Sequence, residues 1–373
     1  MKFVAGKDDL LNGIRIVERA TVVKGLQPVL ANILIETVGD GQIKMTATDF
    51  DLSITTLINA QVEEQGRFTL PAKKLGDIIS RLQDELVRIE LNGSTATITC
   101  KNSKFDIIGI SANEFPQVEE NISEEDSIEI ETKPFTKAIR QVVSAAAGYE
   151  TNNLLSGVVC EVNKNILEMA ATDGNRLARV REVVKNNSAD EEKIFEMLIS
   201  SKVLAELSKI ALLADSDSIK ICKEVKKIVI TVNNTKIITR LMQGQFPKYN
   251  QLIPQSFPKE AKVNKGMLIS ALERVAVMVS EKNSIVKFEF VDNTLKLSGD
   301  SPEEGNSQDE IEVRYMGEPL AIAFNYKFVL EFLKIVESDE ISVQLNTPLS
   351  ATVFAPCTDE DYIYLVMPVQ LRG

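Results

Sequence analysis

The 373-residue chain contains no histidine and no tryptophan. Without histidine the commonest general base is missing, and catalytic triads of the Ser-His type are excluded. Cysteine is scarce: Cys100, Cys160, Cys222 and Cys357 are far apart and none forms a CxxC, which together with the lack of histidine excludes the usual structural zinc sites. No metal and no cofactor is expected. The cysteines sit in mostly apolar or β-branched surroundings and read as small buried hydrophobes of a reducing compartment. No stretch approaches the roughly 18 apolar residues of a membrane span. The opening Met1-Lys2-Phe3-Val4-Ala5-Gly6-Lys7-Asp8 turns acidic before a signal-like run can develop, so a cytoplasmic protein with no membrane partner is expected. Six tyrosines are little material for stacking on single strands. Glycine-rich phosphate loops, RNP aromatics and a recognition-helix signature are also missing.

What is there is a repeat. Lys44-Met45-Thr46-Ala47-Thr48-Asp49-Phe50 returns as Glu168-Met169-Ala170-Ala171-Thr172-Asp173-Gly174, and more weakly as Lys296-Leu297-Ser298-Gly299-Asp300. Each echo follows a helical stretch (Asp8–Ala20, Pro134–Ala147, Lys265–Val279) and a strand (Ala31–Glu36, Gly157–Val162, Ser284–Val291). Leu10, Leu11, Ile14 and Val17, and later Leu268, Leu272, Val275 and Val279, give those helices an apolar stripe. A second helix follows at Ala72–Leu82, Ser201–Leu213 and Tyr326–Val336, with Pro71, Ser200 and Asn325 as start residues. Paired strands close each unit: Val87–Leu91 with Thr95–Cys100, Ser218–Cys222 with Ile228–Val232, Glu340–Leu345 with Ala351–Phe354. The fold class is therefore α+β: three tandem units, 1–124, 125–254 and 255–373, each two helices packed on antiparallel sheets. An acidic run at Glu119–Asp126 and the prolines of Pro254–Lys259 mark the linkers.

The net charge of −12 argues against a body that grips nucleic acid all over. The six helices run the other way: counting Lys7 just ahead of the first, they carry fourteen basic residues against seven acidic ones. Lys and Arg are good helix formers on any solvated face, but the same bias in six helices of an acidic chain points to one basic layer and a polyanion partner. Lys74, Arg81, Lys137, Arg140, Lys202, Lys209 and Lys334 belong to that layer. Contacts of this kind read phosphate rather than base, which favours duplex DNA bound without sequence preference.

At this point Met1-Lys2-Phe3, Leu26-Gln27-Pro28-Val29-Leu30-Ala31-Asn32, Ala47-Thr48-Asp49, Ala171-Thr172-Asp173-Gly174, Gly244-Gln245-Phe246-Pro247 and Met367-Pro368 together resemble one pattern. It is similar, end to end, to the bacterial sliding clamp, the beta subunit of DNA polymerase III. The resemblance implies a head-to-tail homodimer closing a ring of six units, a non-catalytic processivity factor. Twelve helices about 10 Å wide, side by side, would leave a bore of roughly 28 Å, enough for a duplex. It further implies that the replicative polymerase, the clamp loader and repair polymerases dock short linear motifs in a pocket between the second and third units. The matching positions are Leu155, Thr172, Gly174, Arg176, Leu177, Pro247, Leu252, Val366, Met367, Pro368 and Val369, a groove of apolar residues rimmed by Arg176. Asn175 stands where some relatives carry histidine, and Gln251 replaces a basic residue, which bears on peptide preference. DNA contacts are implied at Lys24 and in the segment Tyr149–Leu154, where the aromatic has moved and an acid is present. The ring interface is implied on the edge strand Lys101–Ile110, with Phe105 and Ile107 facing Val277 and Met278, and Lys101 and Lys104 meeting Glu303 and Glu304.

Two other readings are open to the residues. Asp49, Asp51, Asp173 and Asp300 could serve an enzyme as metal or acid–base carboxylates. Their recurrence once per unit at a strand end fits a turn or cap instead. A repeat scaffold that binds only proteins is the other.

Overall fold

The computed structural model describes residues 1–22, 27–83, 85–118, 127–148, 154–187, 195–280, 284–301 and 305–370. Three copies of one element order follow each other. The first holds β1 (Lys2–Gly6), α1 (Lys7–Val17), β2 (Asn32–Val38), β3 (Gln42–Thr48), β4 (Leu52–Asn59), β5 (Gln61–Glu64), β6 (Arg67–Pro71), α2 (Ala72–Arg81), β7 (Leu86–Asn92), β8 (Thr95–Cys100) and β9 (Ser103–Ile108). The second holds β10 (Ser127–Glu131), α3 (Thr132–Val143), β11 (Gly157–Asn163), β12 (Ile166–Thr172), β13 (Arg176–Val183), β14 (Lys185–Asn186), β15 (Phe195–Ser200), α4 (Ser201–Leu213), β16 (Ser218–Lys223), β17 (Lys227–Val232) and β18 (Thr235–Arg240). The third holds β19 (Lys259–Asn264), α5 (Lys265–Ala276), β20 (Ile285–Val291), β21 (Thr294–Ser301), β22 (Gly305–Glu312), β23 (Arg314–Met316), β24 (Leu320–Asn325), α6 (Tyr326–Ile335), β25 (Glu340–Leu345), β26 (Thr352–Pro356) and β27 (Tyr362–Val366).

Two compact units form from these copies, and the second copy contributes to both. One unit gathers Met1–Lys133, Val184–Glu191 and Glu206–Leu241; the other gathers Pro134–Val183, Glu192–Ala205 and Met242–Gly373. The reason is strand pairing. In the first unit a five-stranded sheet, β5-β1-β7-β8-β9, accompanies a nine-stranded one, β14-β10-β16-β17-β18-β4-β3-β2-β6. In the second unit a nine-stranded sheet, β15-β11-β12-β13-β27-β26-β25-β19-β23, accompanies the four strands β22-β21-β20-β24. Each nine-stranded sheet runs unbroken across a junction of two copies, β18 on β4 in one and β13 on β27 in the other, both antiparallel. A shared ladder satisfies two edges that would otherwise be open.

The helices bury the stripes their spacing forecasts, with small changes. Leu10, Ile14 and Val17 are in the core, but Ile16 takes the buried place expected for Leu11. In the third copy Leu268, Leu272 and Val275 of α5 are buried, and so is Val279, three residues past its end. α3 stops at Val143 instead of Ala147. Ser144 Oγ donates back to Gln141 O at 3.3 Å, and Ala145 and Ala146 make the tighter three-residue bonds of an unwinding end. α5 loosens the same way after Ala276. Asn325 Oδ1 accepts from Lys327 N at 3.0 Å, the expected cap of α6. Phe332 from α6 lies among Phe354, Tyr362 and Tyr364, with ring centroids 5.9, 5.7 and 5.4 Å away. Cys100, Cys160 and Cys222 are buried, and burial pushes the Cys160 thiol up to about 12. Cys357 departs from expectation: it lies exposed in the turn after β26. No helix is long and apolar enough to cross a membrane, and no group of His, Cys, Asp or Glu able to hold a metal occurs, both among the described residues.

Candidate peptide-docking site

The tight turn between β12 and β13 positions the site, and its aspartate makes the turn. Asp173 Oδ1 accepts from Asn175 N (2.9 Å) and Arg176 N (3.1 Å). Thr172 Oγ1 accepts from Gly174 N (3.1 Å) and donates to Arg176 O (2.6 Å). Gly174 supplies the positive φ of +91°. The first copy builds the same turn: Asp49 Oδ1 accepts from Asp51 N and Leu52 N, and Thr48 Oγ1 from Phe50 N. There Phe50 adopts φ 74° in the glycine's place. Asp49 and Asp173 therefore cap the backbone of their turns, the role their recurrence at a strand end suggested. The third copy differs from expectation. Asp300 lies inside β21, opposite Asn306, at the ladder position of Thr48 and not of Asp49.

Arg176 is where sequence and structure part. Instead of rimming a groove, its side chain is only 10% exposed. Nε donates to Asp173 Oδ2 at 2.9 Å, Nη1 donates to Glu331 and, at 3.2 Å, to Tyr364 Oη, and the guanidinium stacks 4.3 Å from the Phe328 ring centroid. Burial opposes its charge, but Tyr364 and Glu331 outweigh that and raise its pKa. Arg176 thus braces the wall.

Beside it an apolar cluster covers one face of the sheet. Val159, Ala170, Leu177, Leu198, Val353 and Leu365 come from strands; Phe246 and Tyr249 lie over them. Leu154, Leu155, Met242, Ile253, Phe257 and Ile363 pack at its margin, half-buried. Of the expected positions, Leu177, Val366 and Thr172 are buried; Leu177 belongs to the floor with Leu365, its ladder partner, whereas Val366 pairs with Arg176 and lies on the opposite face of the sheet, a correction to its expected place in the groove. Leu155, Pro368 and Val369 are half-buried, while Gly174, Asn175, Pro247, Gln251, Leu252 and Met367 are exposed, the last two at 55% and 43%. Met367 N donates to Asn175 O and Val369 N to Ala323 O, both at 2.8 Å, which pins the terminal segment beside the turn. Gly244, at φ +135°, leaves the space Leu154 fills: a Cβ there would lie 2.7 Å from its methyls. Tyr249 closes one end by donating to Glu168 Oε1 at 2.6 Å. Leu154, Met242, Tyr249, Ile253 and Phe257 were not legible as site residues, since they stand in irregular chain that carries no periodicity.

The remaining expected positions divide. Lys24, Tyr149, Glu303 and Glu304 lie outside the described residues. Lys74, Arg81, Arg140, Lys202, Lys209 and Lys334 are exposed on helices. Arg81 is 3.5 Å from Asp77 and Lys209 2.7 Å from Glu206, while Arg140 and Lys334 keep 3.9 Å from Glu337 and Glu273. Lys137 is half-buried and held by Asp359 at 3.0 Å, a packing contact rather than a displayed cation. At the edge strand, Lys101 is in the β8–β9 turn at φ 49°, paired with Glu85 at 2.5 Å. Lys104 is exposed. Ile107 already lies in the core, so the apolar surface left on β9 belongs to Phe105 and Ile108, 38% and 73% exposed. Val277 is exposed and Met278 half-buried.

Models of the N-terminal, central and C-terminal domains of the DNA polymerase III beta subunit match residues 1–119, 129–248 and 250–370. The chain belongs to the beta sliding clamp family. As a member it is a non-catalytic processivity factor of DNA polymerase III. It is 34% identical to the beta sliding clamp of Synechococcus elongatus and 31% to that of Synechocystis, in each case over all of both chains. Among solved structures, the DNA polymerase III beta subunit of Thermotoga maritima matches with a TM-score of 0.93 at 30% identity. A Pseudomonas aeruginosa sliding clamp bound to griselimycin matches with 0.93 at 26%, and both matches cover each chain fully.

Proposed function

We propose that this sliding clamp works as a ring of two chains joined head to tail, with duplex DNA passing through it without sequence readout. The observation that carries the ring is a junction made twice and left open once. In element order β9 is the counterpart of β18 and β27, and β22 the counterpart of β4 and β13. β18 and β27 each pair with a strand of the other kind, whereas β9 and β22 end their sheets. Pairing β9 with β22 of a second chain repeats the junction and closes the ring without open edges. We take the copies as 1–124, 125–254 and 255–373.

Exposed cations on the helices supply phosphate contacts that are weak singly and let the ring slide. Short linear motifs of replicative polymerase, clamp loader and repair polymerases seat over Leu155, Leu252 and Met367, with Leu177 and Leu365 as floor and Gln251 and Asn175 at the rim. The cytoplasm is the compartment this role requires. Loader-assisted retention on nicked circular DNA tests the reading: the protein stays on circles and is released when they are linearised. Retention that ignores the linear ends refutes encirclement, and a monomer at micromolar concentration refutes the ring.

A further inference from the structure

Each compact unit carries a cavity at the corresponding place, and the two differ in how their polar groups are used. In the first unit the cavity lies beside α1, the β17–β18 turn and the end of α4, and measures about 180 Å³. In the second it lies beside α3, the β26–β27 loop and the segment after α6, and measures about 420 Å³. Asn12 and Ile16, the sixth and tenth residues of α1, line the smaller one. Lys137 and Gln141, the sixth and tenth of α3, line the larger.

At the first place the polar side chains are turned on the fold. Asn12 Nδ2 donates to Leu213 O at 3.2 Å, Asn233 Nδ2 to Ala214 O at 3.3 Å, and Asn234 Nδ2 to Leu57 O. Thr56 and Thr235 share a buried hydroxyl–hydroxyl hydrogen bond of 2.8 Å. Ile16 is buried and needs no partner.

The second place is built differently. Gln141 stands where Ile16 stands, is 2% exposed, and its Oε1 has no hydrogen-bond partner among the described residues. Such acceptors are rare in native interiors, because the group gives up water and receives nothing. An amide in place of isoleucine on this wall therefore calls for a donor that arrives from the cavity. The longer loop, residues 357–361, brings Asp359, and Glu337 and Asp339 add carboxylates at the mouth. Lys137 holds Asp359 at 3.0 Å and Arg140 stays 3.9 Å from Glu337. Three carboxylates against one lysine make the lining a place for positive charge. Among the described residues no group of carboxylates stands close enough to hold a metal ion, so a fitting cation carries its charge on several separated atoms.

We propose that this cavity binds an aliphatic polyamine, with one ammonium donating to Gln141 Oε1 and another meeting Asp339 at the mouth. An ammonium offers three donors and no acceptor, which suits a wall of acceptors. The volume falls in the range of small-molecule sites, roughly 300–1,000 Å³. The site lies within one chain and does not depend on ring closure.

Titration calorimetry of the full chain with spermidine, in roughly 0.15 M salt, tests the site. Saturable binding of one spermidine per chain is expected, with a thermal midpoint of unfolding that rises with spermidine concentration. Gln141→Ile, which copies the first unit, should weaken spermidine about tenfold or more, through loss of a hydrogen bond to a charged group. The same variant should raise the midpoint of the ligand-free protein, since the unpaired acceptor is gone. Asp339→Asn, an exposed substitution that leaves the core alone, should weaken spermidine about two- to fivefold. Absence of saturable binding overturns the proposal and leaves Gln141 to a buried water. Binding that both variants leave unchanged, or that magnesium ions match at equal charge, is general attraction to a chain of net charge −12 and overturns it as well.

Discussion

Arg176→Ala separates a residue that braces the docking wall from one that touches the peptide. The substitution removes donors to Asp173, Glu331 and Tyr364 and a cation from the face of Phe328. Breaking a fully buried pair costs about 3–5 kcal/mol. Here the figure must be reduced, since Glu331 is 45% exposed and can recover water, and Asp173 keeps its bonds from Asn175 and Arg176 N–H. The lost stacking adds about 0.5–1 kcal/mol. A net loss of about 2–3 kcal/mol follows. Arg176→Lys keeps charge but not the planar fork, and should recover only part of it. With no tryptophan in the chain, urea unfolding followed by far-ultraviolet circular dichroism is the suitable assay, beside titration with a motif peptide. The bracing role requires that lost stability and weakened peptide binding appear together. Unchanged unfolding with abolished binding would place Arg176 at the peptide and refute it.

Thr56→Val leaves the Thr235 hydroxyl buried and unpaired, at a cost of about 1–3 kcal/mol. The double variant Thr56→Val/Thr235→Val should recover most of that in urea unfolding, and additive losses would show the bond contributes nothing. Leu177→Ala should destabilise by about 2–5 kcal/mol and weaken the peptide by hollowing the floor beneath it; a stable variant with normal affinity would count against the site as described. Burial raises the Glu168 carboxyl, but hydrogen bonds from Tyr249 and Arg181 and the Arg181 charge outweigh it and hold its pKa below the usual value. Because the folded pKa is the lower one, this stabilisation is complete above the unfolded carboxylate pKa and is lost as pH falls through the folded one. Tyr249→Phe should therefore cost most at neutral pH and least in acid, whereas a penalty independent of pH would show that the phenol acts by packing alone.

Composition and pattern alone determined the repeat, the six helices and, to within about two residues, the nine strands placed by pattern, because helix and strand periodicity are local properties written in consecutive residues. The Thr-Asp segments of the first two copies likewise read correctly as turns. Pairing between distant strands was decided only by the fold. Nothing local says that β18 joins β4 or that β27 joins β13, so the sequence shows three copies where contacts gather two compact units. The same limit governed the side chains. An arginine beside apolar residues reads as a rim until Glu331, Tyr364 and Phe328, more than 150 positions away, close over it. Lys137 read as a displayed cation until Asp359 met it, and Ile107 as surface until the sheet turned it inward. Charge and hydropathy belong to a residue, but exposure belongs to its neighbours, and only tertiary structure chooses those.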